Sequence, residues 1–175
     1  MSRFPYFLAA TAAALSLPAH AGAEEQHEPA CTAPAPLTGE LASWAAPSPI
    51  EAAGNAKGLT AADLPMGQAA DVKLLQTPDV QYPLPPEKPG GSVSYGGLVG
   101  VDIVDPGTYR VALGSGAWID VVKDGKTVTS VKHGHGPACT GIRKMVDFPL
   151  QPGRYTLQVA ANGTQRITML VTRLP

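Results

Sequence analysis

From Leu98 onward, apolar and polar residues alternate in short runs broken by turn signals roughly every 8–12 residues, the spacing of a sandwich or small barrel. Leu98 to Val104 is the first run, closed by Asp105-Pro106-Gly107. Thr108 to Leu113 follows and places Tyr109, Val111 and Leu113 on one face. Ala117 to Lys123 turns at Asp124-Gly125, a hairpin dipeptide, into a return strand over Thr127 to Lys132. Lys144 to Leu150 aligns Val146, Phe148 and Leu150, and Arg154 to Ala160 aligns Tyr155, Leu157 and Val159. After a second hairpin signal, Asn162-Gly163, the run Arg166 to Thr172 aligns Ile167, Met169 and Val171. Residues 97–175 therefore read as an all-β domain, an antiparallel β-sandwich or jelly roll.

A short internal echo supports this. Pro106-Gly107-Thr108-Tyr109 and Pro152-Gly153-Arg154-Tyr155 each deliver a tyrosine at the start of a buried strand. Two copies are too few for a solenoid, and they fit two equivalent strand starts, one per sheet. The tyrosines are structural on this reading.

Residues 22–96 have another texture. They are rich in Ala and Pro and poor in β-branched residues, and they read as a largely irregular arm. Thr60 to Leu64 predicts a short helical turn capped by Thr60 and stopped by Pro65. Asp71 to Leu74 predicts one strand, and Pro83 to Pro89 an extended, polyproline-like linker. The scattered Leu41, Trp44, Leu59, Leu64, Val72 and Leu74 favour a segment draped over a core, with a disordered arm as the alternative.

Composition narrows the class further. The 175 residues include 19 Gly and 18 Pro, which argues against a helical bundle or coiled coil. Charged residues make up 15%, against roughly 25% in an average soluble domain. A net charge of -1 without any Lys/Arg run lacks the basic footprint of a nucleic-acid binder. Met1 to Ala23 has the pattern of a secretory signal: Arg3, an apolar run from Phe4 to Leu17, Pro18, then Ala19-His20-Ala21. Cleavage is expected after Ala21, or two residues on at Ala23, giving a periplasmic or secreted protein. No other segment is apolar for the ~20 residues that a membrane span needs. Cys31 and Cys139 would then meet an oxidising compartment and most simply form one disulfide. The rival is a free Cys139 thiolate serving as a metal ligand.

Candidate chemistry gathers at one place, the glycine-rich stretch His133 to Lys144, read as a shaped loop between strands. His133 and His135 present two imidazoles from one segment, a pattern that suits copper, zinc or iron. A third ligand would come from Cys139, Asp120, Asp147 or Met145. A second possibility is a loop held by the disulfide, with its histidines exposed. A third is a ligand or partner site built from Trp118, Asp120, Arg143 and Lys144. Ile119 and Val121 alternate with Trp118 and Asp120, so the latter two share the less buried face of their strand. Arg143 would grip a carboxylate or phosphate, and Trp118 would offer a stacking wall. P-loop, Rossmann, Gly-x-Ser-x-Gly, Cys-x-x-Cys and His-Glu-x-x-His patterns are missing from the sequence.

The stretches Gly107 to Leu113, Ala117 to Val122, His133 to Lys144 and Pro152 to Gln158 resemble a family of small exported Gram-negative bacterial proteins often labelled homogentisate 1,2-dioxygenase. That label implies a non-haem iron enzyme acting on an aromatic acid. His133 and His135 would be its histidine ligands, with Asp120 or Asp147 as an unmatched carboxylate, and no catalytic residue carries over. The strand texture is also similar to the pre-peptidase C-terminal domains appended to secreted peptidases, which are non-catalytic sandwiches. The leading expectation is an exported, non-catalytic ligand- or metal-binding accessory protein with its site at His133 to Lys144. Its partner would be a small molecule or protein of the periplasm. The alternative is the metal-dependent dioxygenase.

Overall fold

The computed structural model describes residues 31–175; the expected secretory signal lies outside them. Eleven strands form two facing sheets: β1 (Ser48–Glu51), β2 (Ala70–Lys73), β3 (Leu75–Gln76), β4 (Tyr95–Ile103), β5 (Gly107–Leu113), β6 (Trp118–Lys123), β7 (Lys126–Thr127), β8 (Lys132–Gly134), β9 (Lys144–Leu150), β10 (Gly153–Asn162) and β11 (Arg166–Arg173). One sheet runs β1-β2-β11-β5-β9-β8 and the other β3-β4-β10-β6-β7. All pairings are antiparallel except β1 with β2. The fold is an all-β sandwich.

The alternation read from the sequence builds its core. Val99, Val101, Tyr109, Val111, Leu113, Ile119, Val121, Val146, Phe148, Tyr155, Leu157, Val159, Ile167, Met169 and Val171 all lie between the sheets. Each such aliphatic or aromatic side chain contributes about 1.5–3 kcal/mol by leaving water. The two Pro-Gly-x-Tyr copies open one strand in each sheet, β5 and β10. The Tyr109 hydroxyl donates to Asp105 O at 2.7 Å, and the Tyr155 hydroxyl donates to Gln151 O at 2.9 Å. Both tyrosines thus close the turn four residues upstream, the tyrosine-corner arrangement of sandwich domains.

Three expectations change. The return strand over Thr127 to Lys132 does not form as one piece. The Val128 N–H donates to Val121 O in one sheet, and three residues later the Val131 N–H donates to Asp147 O in the other. Val131 is 63% exposed, so this stretch has no continuous apolar face to hold it on a single sheet. Part of the expected loop therefore becomes the edge strand β8. The helical turn also forms earlier, as a 3-10 turn over Ala56–Ala61. Asn55 caps it, accepting from the N–H groups of Lys57 and Gly58 at 3.0 and 3.3 Å, a stronger cap than Thr60.

From Cys31 to Ser94 the chain packs onto the sandwich and contributes three strands rather than one. It also covers both outer faces of the sandwich. Over the six-stranded sheet, the 3-10 turn Gly39–Ala45 lays Leu41 and Trp44 on Ala69, Ala112, Ile142 and Leu170. The Cys31–Cys139 disulfide pins this cover at its start, and the Trp44 Nε1–H donates to Thr140 O at 3.1 Å. Over the five-stranded sheet, Ala53, Ala62, Leu59, Val80 and Tyr82 gather around Leu98, an outward-facing residue of β4. Gly96, beside Leu98 on that face, leaves the space into which the Tyr82 hydroxyl fits. No helix among the described residues is long and apolar enough to cross a membrane.

Candidate functional site

Strand β6 sends Ile119 and Val121 into the core, which turns Trp118 and Asp120 outward. Across the ladder, β10 places Ala160 opposite Trp118 and Gln158 opposite Asp120. The small Ala160 leaves room for the indole. The Trp118 Nε1–H donates to Asp120 Oδ1 at 2.9 Å, which locks the two side chains together. Asp120 Oδ2 is buried without a hydrogen-bond partner.

A strap formed by the proline-rich segment from Val80 to Lys88 closes over this face. The Tyr82 hydroxyl donates to Val159 O at 2.9 Å. The Gln158 amide, fully buried, binds Leu84 at both backbone groups: its Nε2–H donates to Leu84 O and its Oε1 accepts from the Leu84 N–H, each at 3.1 Å. One side chain thus stands in for a strand partner to a segment that prolines keep from pairing as a strand. Farther along, Lys88 Nζ lies 4.9 Å from the centre of the Trp118 ring. Lys144, the first residue of β9, places its Nζ 5.0 Å from the same centre and donates to Ala117 O at 3.0 Å. Two ammonium groups therefore converge on one indole at the corner where the sheets meet.

The electrostatics bear the mark of that crowding. Burial raises the Asp120 pKa, with Glu87 on the strap adding to the rise. The Trp118 N–H, the Gln158 amide and the Lys144 charge oppose it. Burial, and then the charge of Asp120, pushes the Tyr82 hydroxyl up to about 12. Burial and the neighbouring Lys88 charge lower the Lys144 pKa. Perturbed groups of both signs in one place are a feature of functional sites.

No protein-family model and no curated protein match this chain. Among solved structures, it is similar to the crystal structure of the pre-peptidase C-terminal domain of a collagenase from Bacillus anthracis. The identity is 10% and the TM-score 0.39, over 62% of this chain and 91% of that one. Nothing in these comparisons names homogentisate dioxygenase.

Of the residues singled out from the sequence, the fold brings Trp118, Asp120 and Lys144 together and separates the rest. His133 is exposed on the edge strand β8, opposite Val146. His135 is exposed beyond it, its Nδ1–H donating to Arg143 O at 3.0 Å. The Arg143 N–H donates to Leu113 O, which holds the backbone while the side chain stays exposed. Asp147 is buried and gripped by Arg110 at 2.8 and 2.9 Å. Met145 packs toward the Trp44 cluster, and Cys139 is bonded to Cys31, which removes it as a thiolate ligand. Asp120 stands on the outer face of the five-stranded sheet, whereas His133 edges the six-stranded one. Among the described residues no group of three or more His, Cys, Asp or Glu side chains gathers to hold a copper, zinc or iron ion.

Sequence reasoning missed Lys88, Tyr82 and Gln158. Only Gln158 left a signal, a long polar side chain set between Leu157 and Val159 in the otherwise apolar middle of β10.

Proposed function

We propose that this chain is an exported, non-catalytic binding domain that recognises an anionic group of a partner at the corner formed by Lys88, Trp118 and Lys144. The observation that carries this reading is the convergence of two lysine ammonium groups on one indole. Burial first, and then the charge of Lys88, disfavour the Lys144 ammonium, and an anion beside the two lysines offsets both effects. Asp120 and Gln158 position the indole and the strap rather than meeting the partner. Export is supported by the disulfide and by the secretory pattern of the first residues.

The test is a titration of tryptophan fluorescence with dextran sulfate, using uncharged dextran as control. Saturable binding of dextran sulfate that weakens steeply with salt, and that falls at least about tenfold in the Lys88→Ala/Lys144→Ala variant, supports the reading. Equal binding by the variant, or no binding by the native chain, removes it.

A further inference from the structure

A second feature lies away from this corner, at the opposite end of the six-stranded sheet's strand order. Beside the edge strand β1, the chain leaves the sheet and returns as the 3-10 turn over Ala56–Ala61, leaving an open groove of about 620 Å³ between the two. Apart from the charged side chains, Glu51 among them, its walls are small or apolar: Pro49, Ile50, Ala52, Gly58, Ala61 and Ala62. That volume lies within the range of small-molecule sites, ~300–1,000 Å³.

Two cations line this groove. Lys73 of β2 and Arg166 of β11 are direct cross-strand partners and both face outward. Like charges placed opposite each other destabilise an antiparallel pair, so their presence calls for a counter-charge. The protein supplies part of it from the two sides. Glu51 accepts from Lys73 at 2.9 Å, and Asp71 accepts from Arg166 Nε and Nη2 at 2.6–3.1 Å. Among the described residues, Arg166 Nη1 and two of the three Lys73 protons take no protein acceptor. The remaining donors therefore belong to two adjacent cations beside an apolar trough.

We propose that this groove binds a small organic anion with a ring-sized apolar body, its carboxylate or sulfonate bridging Lys73 and Arg166. The apolar walls supply burial for the body and the cation pair supplies orientation, the division of labour usual in small-molecule sites. A free backbone edge for a peptide is a poorer use of this place. By strand alternation Pro49 and Glu51 face outward from β1, and proline has no N–H to offer a further strand.

The experiment is a titration of the 15N-labelled chain with 2-naphthoate, against 2-naphthamide and acetate. The expected result is saturable movement of the Ala52, Ala61, Lys73 and Arg166 amide signals with naphthoate, and binding at least about tenfold weaker with the other two probes. Arg166→Gln is the direct variant, but it also releases Asp71. Ala61→Phe is therefore the second: Ala61 is exposed, so the ring fills the groove without entering the core and abolishes these shifts at unchanged thermal stability. Equal binding of naphthoate and naphthamide, movement confined to the Trp118 corner, no movement at all, or full binding by Ala61→Phe would each overturn the proposal.

Discussion

The two outer faces of the sandwich are covered by the same N-terminal segment in opposite ways. The cover on the six-stranded sheet is apolar and covalently anchored: Leu41 and Trp44 are buried there, and the Cys31–Cys139 bond secures its start. The strap on the five-stranded sheet is held along its length from Tyr82 to Lys88 by polar groups, namely Tyr82 on Val159 O, Gln158 on Leu84 and Lys88 on Trp118. Apolar burial and a disulfide give strength that changes little with pH or salt. Hydrogen bonds and cation–ring contacts give less strength but place charged groups where a partner can meet them. The first face is a closure, and the second is the one on which we propose that recognition is built.

That difference breaks first at the disulfide. Replacing Cys31 and Cys139 with serine frees a loop of 108 residues. It is expected to cost about 4 kcal/mol in urea unfolding, near the chain-entropy value for so long a loop. On the strapped face, Gln158→Leu leaves the Leu84 N–H and C=O without partners and costs about 2 kcal/mol by the same measurement. It also raises hydrogen exchange between residues 80 and 88, while exchange between residues 35 and 46 stays as it was. Tyr82→Phe removes one hydrogen bond and costs about 1 kcal/mol.

Asp120→Asn acts in the other direction. A carboxyl whose pKa is raised on folding carries a penalty that is absent below its ordinary value and complete above its raised one. Native stability therefore falls as pH rises through that window. Asp120→Asn raises the melting temperature at neutral pH and flattens this part of the pH profile. A variant that melts lower at neutral pH, with the profile unchanged, would mean that the Asp120 charge is stabilising where it sits.

The sandwich was legible because nearly every strand from β4 onward alternates around one buried interface, and period-2 patterning is the signal such burial leaves. Trp118 and Asp120 were legible by the same logic, as the outward members of an alternating strand. The strap was not. Tyr82 meets Val159 and Leu84 meets Gln158 across 77 and 74 residues, and a hydrogen bond at that separation leaves no local pattern. Prolines announced an extended segment but not which face it would lie on. The handover of the chain between Val128 and Val131 was hidden for a related reason: two hydrogen bonds to different sheets look, in sequence, like one short strand. Likewise, the histidines drew attention as a pair, yet no third ligand reaches them among the described residues, and spacing alone gave no account of that.

The central claim is that recognition belongs to the strapped face, at Trp118, and not to the disulfide-anchored face, at Trp44. The two tryptophans of the chain make this directly observable. Labelled with 5-fluorotryptophan, the protein gives two 19F resonances, assigned with Trp44→Phe and Trp118→Phe. Adding dextran sulfate is expected to shift the Trp118 resonance saturably and leave that of Trp44 in place. A shift of Trp44 with Trp118 unmoved would contradict the account.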